Sequence, residues 1–419
     1  ALSALRGSRR IAAWAVLLAP ALTPPIVVGY AFTRGVLAGG ARGLWSEALY
    51  ALLVLGKLVP VATVALALVP PLVTPAGRHC FHLQGPHSIE REWRFRIRAA
   101  GPAPAIALAL VFLLAFPEFQ LAAFYNVRTW TVVLFDQHAG GLPLADSLRF
   151  AALPVIVEAL VLALFWLALR GAGTAVAPRI ESSAALMSAP GMAYLACAAL
   201  FITALPMLRL ARQAGPGFQS LVDTFGLGTE LAASMVFSLG ASVAAWLLAG
   251  CCASRVRAAT MGLPGLFGAL VVSLLVLTLF QLSALRPVYD SPLPLLLALT
   301  LLLLPLAIML RWFLDAIRPD NALFIASQLG HRELLWRLEG RRRFAAWALL
   351  FCWAFFDFTA ASILAPVGFT PVFVRLHNLM HYGQAAVLSA MVCTAFATPV
   401  AVLLLAGAAA RFLARHHGR

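Results

Sequence analysis

Ten continuous apolar runs constrain this chain more than any motif does: 11–32, 48–73, 104–124, 147–169, 190–210, 231–252, 263–285, 293–314, 344–364 and 385–410. A bilayer core about 30 Å thick is crossed by roughly 20 helical residues. Lipid offers the backbone no hydrogen-bond partners, so only helices and closed barrels span it. The runs do not alternate apolar with polar, which makes them helices. The expected fold is therefore all-α, a polytopic helical membrane protein with about ten transmembrane helices.

Composition sharpens the exclusions. Hydrophobic residues make up 62% of the chain and charged residues 11%, where soluble domains carry about 25% charged. That rules out a soluble enzyme, a disordered tail and a nucleic-acid-binding domain. The net charge of +15 comes from arginines lying mostly between apolar runs, with Lys57 the single lysine. Nucleic acid is not an expected partner; the lipid bilayer is. Twenty-two arginines fall in the loops of one side, eight in those of the other. The positive-inside rule then places both termini in the cytoplasm, as an even number of spans requires.

Two loops on the arginine-rich side, 74–98 and 315–343, mix Arg with Glu and His. Each precedes a span with an acid near its outer end, an outer loop and a further span. Glu118-Phe119 lines up with Asp357-Phe358, and His138 with His381. The expectation is two tandem repeat halves, 1–185 and 186–419, with four spans in the first and six in the second. The first half then lacks two N-terminal spans.

Few charges lie inside the runs. One at mid-bilayer costs roughly 2.5–3.5 kcal/mol on insertion scales, so it usually meets a partner or a watery cavity. Lys57 and Glu158 have opposite signs and no charged counterparts in the second half. They are expected to pair with each other or to line a solute path. Glu118 and Asp357 are expected to bond helix ends or to attract cations at an outer mouth. His377 and His381 stand one helical turn apart, but no acid lies near them in sequence, so no metal site is expected. No G-x-x-x-x-G-K-[ST] occurs, so the chain does not itself bind ATP in a P-loop. No catalytic constellation stands out, and the chain is not expected to be an enzyme.

The stretches HNLMHYGQAAVLSA (377–390) and FDFTAASILAPVGFTPVFVRL (356–376), with the loop FIASQLG (324–330), resemble one family. It is the fused, two-half permease subunit of binding-protein-dependent (type I) ABC importers, closest to the ferric-iron and thiamine permeases. The resemblance implies a transmembrane pathway for a small solute in a bacterial inner membrane. It implies an outer solute-binding protein and separate ABC ATPase subunits as partners, the latter holding the only cofactor, ATP. It also implies coupling loops carrying Gly85 and Trp93 in the first half, and Ala326, Gly330, Leu334 and Trp336 in the second. The family's loop acid is replaced by His79 and Phe324. That departure keeps a second expectation open: a non-transporting scaffold subunit of a larger membrane complex.

Overall fold

A computed structural model describes residues 7–38, 43–68, 73, 75–84, 88–101, 103–171, 189–221, 227–252, 254–316, 318–380 and 385–416. No strand occurs among the described residues. In chain order the α-helices are α1 Gly7–Leu22, α2 Pro25–Ala38, α3 Leu44–Leu68, α4 Pro75–Leu83, α5 Ile89–Ala100, α6 Ala103–Ala115, α7 Gln120–Phe124, α8 Trp130–Ala139, α9 Leu144–Gly171 and α10 Ala189–Ala198. They continue with α11 Leu205–Ser220, α12 Gly228–Gly250, α13 Arg255–Gly262, α14 Gly268–Phe280, α15 Leu293–Ala316, α16 Asp320–Gln328, α17 Arg332–Leu335, α18 Arg341–Phe355, α19 Thr359–Leu364, α20 Val372–Met380 and α21 Ala385–His416.

Among the described residues, seven helical stretches are long and apolar enough to cross a bilayer: Leu44–Thr63, Leu144–Leu164, Ala193–Ser220, Gly228–Gly250, Val256–Phe280, Leu293–Asp315 and Ala386–Ala414. The chain is a multi-pass helical membrane protein. The expected count of ten continuous spans does not hold, because three runs are broken. Run 11–32 divides into α1 and α2 at Thr23-Pro24, and Pro25 opens α2. Proline disfavours helix in the residue before it and brings no N–H of its own. Run 104–124 breaks at Pro117 into α6 and the five-residue α7. Run 344–364 breaks at Asp357 into α18 and α19 without any proline, so its interruption comes from a carboxylate that starts a new helix.

Packing groups the chain into two compact units, Ala1–Leu134 with Arg149–Met207, and Phe135–Leu148 with Leu208–Arg419. These differ from the halves 1–185 and 186–419 drawn from the sequence. The segment 189–207 packs with the first unit, and Phe135–Leu148 packs with the second.

In the first unit α3 packs on α1 and α6, and α2 on α7. A π-helical turn, Ala199–Ala204, lies against α1 and α3. Gly56 lets α3 approach that turn, since a Cβ there would run into Ile202. The Tyr125 hydroxyl donates to the Val28 carbonyl at 3.1 Å and ties the end of α7 to α2.

The second unit is built around α12, which packs on α15, α18 and α20. Its buried face is mostly small: Ala233, Ser234, Ser238, Ala241, Ser242, Ala245 and Ala249, with Phe237. Small residues let helices in lipid approach closely, where dispersion and hydrogen bonds replace the hydrophobic drive. Arg311 of α15 crosses to α12, donating to the Trp246 carbonyl at 2.9 Å with its guanidinium 5.1 Å from the Trp246 ring centre. Phe351 and Phe355 of α18 and Phe373 of α20 are fully buried; Phe351 stacks on Phe355, which meets Phe373 edge to face.

Candidate functional site

The break between α1 and α2 leaves helix-end carbonyls inside an apolar run. The last carbonyls of a helix have no partner within it, and a cation complements their dipole. Lys57, from the middle of α3, meets that need. Its ammonium donates to the Thr23 carbonyl and, at 3.4 Å, to the Pro20 carbonyl. The Thr23 hydroxyl donates to Ala19 at 2.8 Å and lies 2.9 Å from the Thr203 hydroxyl. Lys57 thus acts as a cap lent to α1 by its neighbour.

Glu118 is the acid whose charge reaches Lys57. It sits at the Pro117 break and accepts the N–H groups of Leu121 at 2.7 Å and Ala122 at 3.3 Å. The Tyr50 hydroxyl of α3 lies beside this carboxylate. Lys57 and Glu118 make no ion-pair contact among the described residues; each is held first by backbone. Thr131 of α8 donates to the Glu118 carbonyl at 3.0 Å, and the Trp130 indole donates to the Phe116 carbonyl at 2.8 Å. The break is therefore satisfied from three sides, by α3, α7 and α8. Asn126 follows α7 with φ +52°, a left-handed conformation that Asn tolerates better than most residues.

The expected pair of Lys57 with Glu158 does not form. Glu158 of α9 is fully buried, and neither carboxylate oxygen has a hydrogen-bond partner among the described residues. Opposite sign alone does not make two intramembrane charges partners. The Pro20 and Thr23 carbonyls occupy the ammonium instead.

In the second unit Asp357 repeats the capping geometry, its Oδ2 accepting the Ala360 N–H at 2.9 Å. Among the described residues no lysine or tyrosine is recorded beside it as Lys57 and Tyr50 are beside Glu118. Two contacts that sequence reasoning missed hold the neighbouring α20. Val372 donates its N–H to the Ser234 hydroxyl at 2.8 Å, and Arg375 forms an ion pair with Glu230 of α12. Such an ion pair between residues 145 apart leaves no local pattern to read.

The His138 ring lies 3.2 Å from the Ser147 hydroxyl, and His377 packs on Phe358 with centroids 4.5 Å apart. His381 lies outside the described residues. Among the described residues no group of three or more His, Cys, Asp or Glu is arranged to hold a metal.

The two arginine-rich loops take different shapes. In the first, α4 and α5 are stapled by Phe81 stacked on Phe95, with centroids 3.8 Å apart. Ser88 caps α5 by accepting the Arg91 N–H. Trp93 is exposed, and Gly85 lies outside the described residues. In the second, α16 buries Ala326 fully and Leu323 almost so. Gly330 then reverses the chain at φ +65°, a conformation glycine adopts without strain. Phe324, Ile325, Leu329 and Leu334 face outward, Phe324 and Leu329 at 65% and 62% exposure. Trp336 is half-buried and packs on Phe344.

With that geometry in place, comparison with family models, curated proteins and solved structures gives no match.

Proposed function

We propose that this chain is the transmembrane subunit of a type I ABC importer, fused from two permease halves and resident in a bacterial inner membrane. Its termini are on the arginine-rich, cytoplasmic side. The observation that carries the reading is the lever α16–Gly330–α17. One face is anchored by buried Ala326 and Leu323, while Phe324, Ile325, Leu329 and Leu334 stand exposed. A soluble ATPase closing on such a ridge pushes on α15 and α18 through short connections. An amphipathic helix set into a partner's groove is a recurrent mode of docking.

The tandem arrangement is supported by matched element order. Helix α3 is followed by loop helices, then α6, a break with Glu118, short α7, α8 and long α9. Helix α15 is followed by loop helices, then α18, a break with Asp357, short α19, α20 and long α21. The solute is small, an iron chelate, thiamine or similar, delivered by an outer binding protein. ATP is bound by the ATPase subunits.

His79 and Phe324, standing where the family has an acid, favour a second reading: a scaffold that kept the permease fold and lost coupling. Purifying the chain from its native membrane separates the two. Cysteine at 324, crosslinked in the membrane, is expected to capture a P-loop ATPase whose hydrolysis rises with binding protein present. Crosslinking only to integral membrane subunits, with no ATPase in the complex, would establish the scaffold instead.

A further inference from the structure

We infer that the second unit holds a binding site for an anionic phospholipid, in a groove where α18 begins and α21 ends. This does not depend on whether the protein transports. The groove has a volume of about 630 Å³ and is open on one side. Its lining includes Arg332, Trp336, Glu339, Gly340, Arg343 and Leu413.

Three observations set the ligand's chemistry. The first is charge. Glu339 pairs with Arg343, and Arg318, outside the lining, is held at 3.2 Å by Asp320 as well as at 3.6 Å by Glu339, so Glu339 is the one lining carboxylate beside Arg343 and Arg332. Arg332 forms no ion pair among the described residues and lines the same groove. The groove therefore carries uncompensated positive charge and suits a phosphodiester.

The second is depth. Leu413 and Ala414 close the groove at the last residues of the membrane-spanning stretch Ala386–Ala414. That places the arginines at headgroup level. Basic pockets between helices at this level are a known form of acidic-lipid recognition.

The third is apolar continuity. Leu413 itself is 55% exposed, and Val402, three turns back on the same face of α21, is 39% exposed. They offer acyl chains a path from the groove into the bilayer. A soluble phosphate compound has no use for such a path, which is why a lipid is the assigned occupant.

The groove is also built with little slack. Residues Trp336–Gly340 form a π-helical turn, an irregularity frequent at functional positions. The Trp336 ring lies so close over Gly340 that a Cβ there would collide with it. Gly407 of α21 likewise sits against the Phe344 ring. Trp336 is thus fixed in the groove and reports on it.

The test reconstitutes the whole chain in nanodiscs containing phosphatidylcholine with dibrominated phosphatidylglycerol or dibrominated phosphatidylcholine. Quenching of Trp336 is read as the difference between wild type and Trp336→Phe. Quenching is expected to favour the brominated phosphatidylglycerol by about fivefold for each guanidinium that faces the headgroup. Arg332→Gln should lower that preference while keeping the same melting temperature, because its side chain supports no ion pair. Arg332→Gln/Arg343→Gln should abolish it. Millimolar glycerol phosphate should leave the wild-type preference unchanged. Equal quenching by the two lipids in wild type would overturn the proposal, a comparison that needs no variant of the arginines. A preference that survives in both arginine variants, or is displaced by glycerol phosphate, would overturn it too.

Discussion

Glu118 and Asp357 do one job in two settings. Each sits where a helix breaks inside an apolar run, and each accepts backbone N–H groups of the short helix that follows. Around Glu118 the structure adds the Tyr50 hydroxyl and the field of Lys57. Around Asp357 it adds no such partners among the described residues, and the neighbouring α20 is held from α12 through Ser234 and Glu230. The difference teaches that a capped break is a local device the chain can repeat, while its support is whatever the surrounding helices supply. In the first unit the support is polar and reaches α1, because the Thr23-Pro24 break has carbonyls of its own to satisfy.

The largest expected consequence is an asymmetry between alanine substitutions. Asp357→Ala removes a cap, worth about 1 kcal/mol. Glu118→Ala removes a cap and also the carboxylate that lies beside the Tyr50 hydroxyl and Lys57, a further cost of about 1–3 kcal/mol. Thermal unfolding of both variants in the same detergent should show the larger fall in melting temperature for Glu118→Ala. Equal falls would mean that Tyr50 and Lys57 contribute nothing, and the contrast between the units would collapse.

Glu158 provides the next test. A polar group buried without a partner costs about 1–3 kcal/mol by mutational measure. Glu158→Leu is therefore expected to raise the melting temperature of the purified chain. A fall would mean that the carboxyl has a partner in the membrane, and would return a pathway role to it. Smaller still is the effect of Thr203→Val. It removes one hydroxyl contact to Thr23, about 1 kcal/mol, and the same melting assay should show a drop below that of Glu118→Ala.

Much of this architecture was legible before any coordinates. Leu293–Asp315 and Ala386–Ala414 follow directly from unbroken apolar runs. The carboxylates at 118 and 357 stood out because charge is rare there. The breaks were less legible. Run 11–32 reads as one span despite Pro24 and Pro25, runs 104–124 and 344–364 likewise have full span length and composition, and the sequence counts residues rather than backbone partners. The partner of Lys57 was illegible for a related reason. Its acceptors are the carbonyls of Pro20 and Thr23, and main-chain groups look alike at every position. A search for a side chain of opposite sign found Glu158, since a helix end that needs a cation leaves no letter in the sequence.

That error defines the finest measurement. Lys57→Met strips the donor from two carbonyls, and its cost should depend on what else is removed. Combined with Glu118→Ala, it is expected to show a coupling above about 0.5 kcal/mol, as groups sharing one network do. Combined with Glu158→Leu, the costs should add within about 0.5 kcal/mol, as for sites that share no partner. The two cycles share the Lys57→Met variant, so any general softening of α3 enters both and cancels in the comparison. Coupling to Glu158 larger than coupling to Glu118 would restore the pair inferred from charge alone. It would also mean that the Thr23 and Pro20 carbonyls are secondary acceptors, and that the support of the first unit runs through α9 rather than through the break at Pro117.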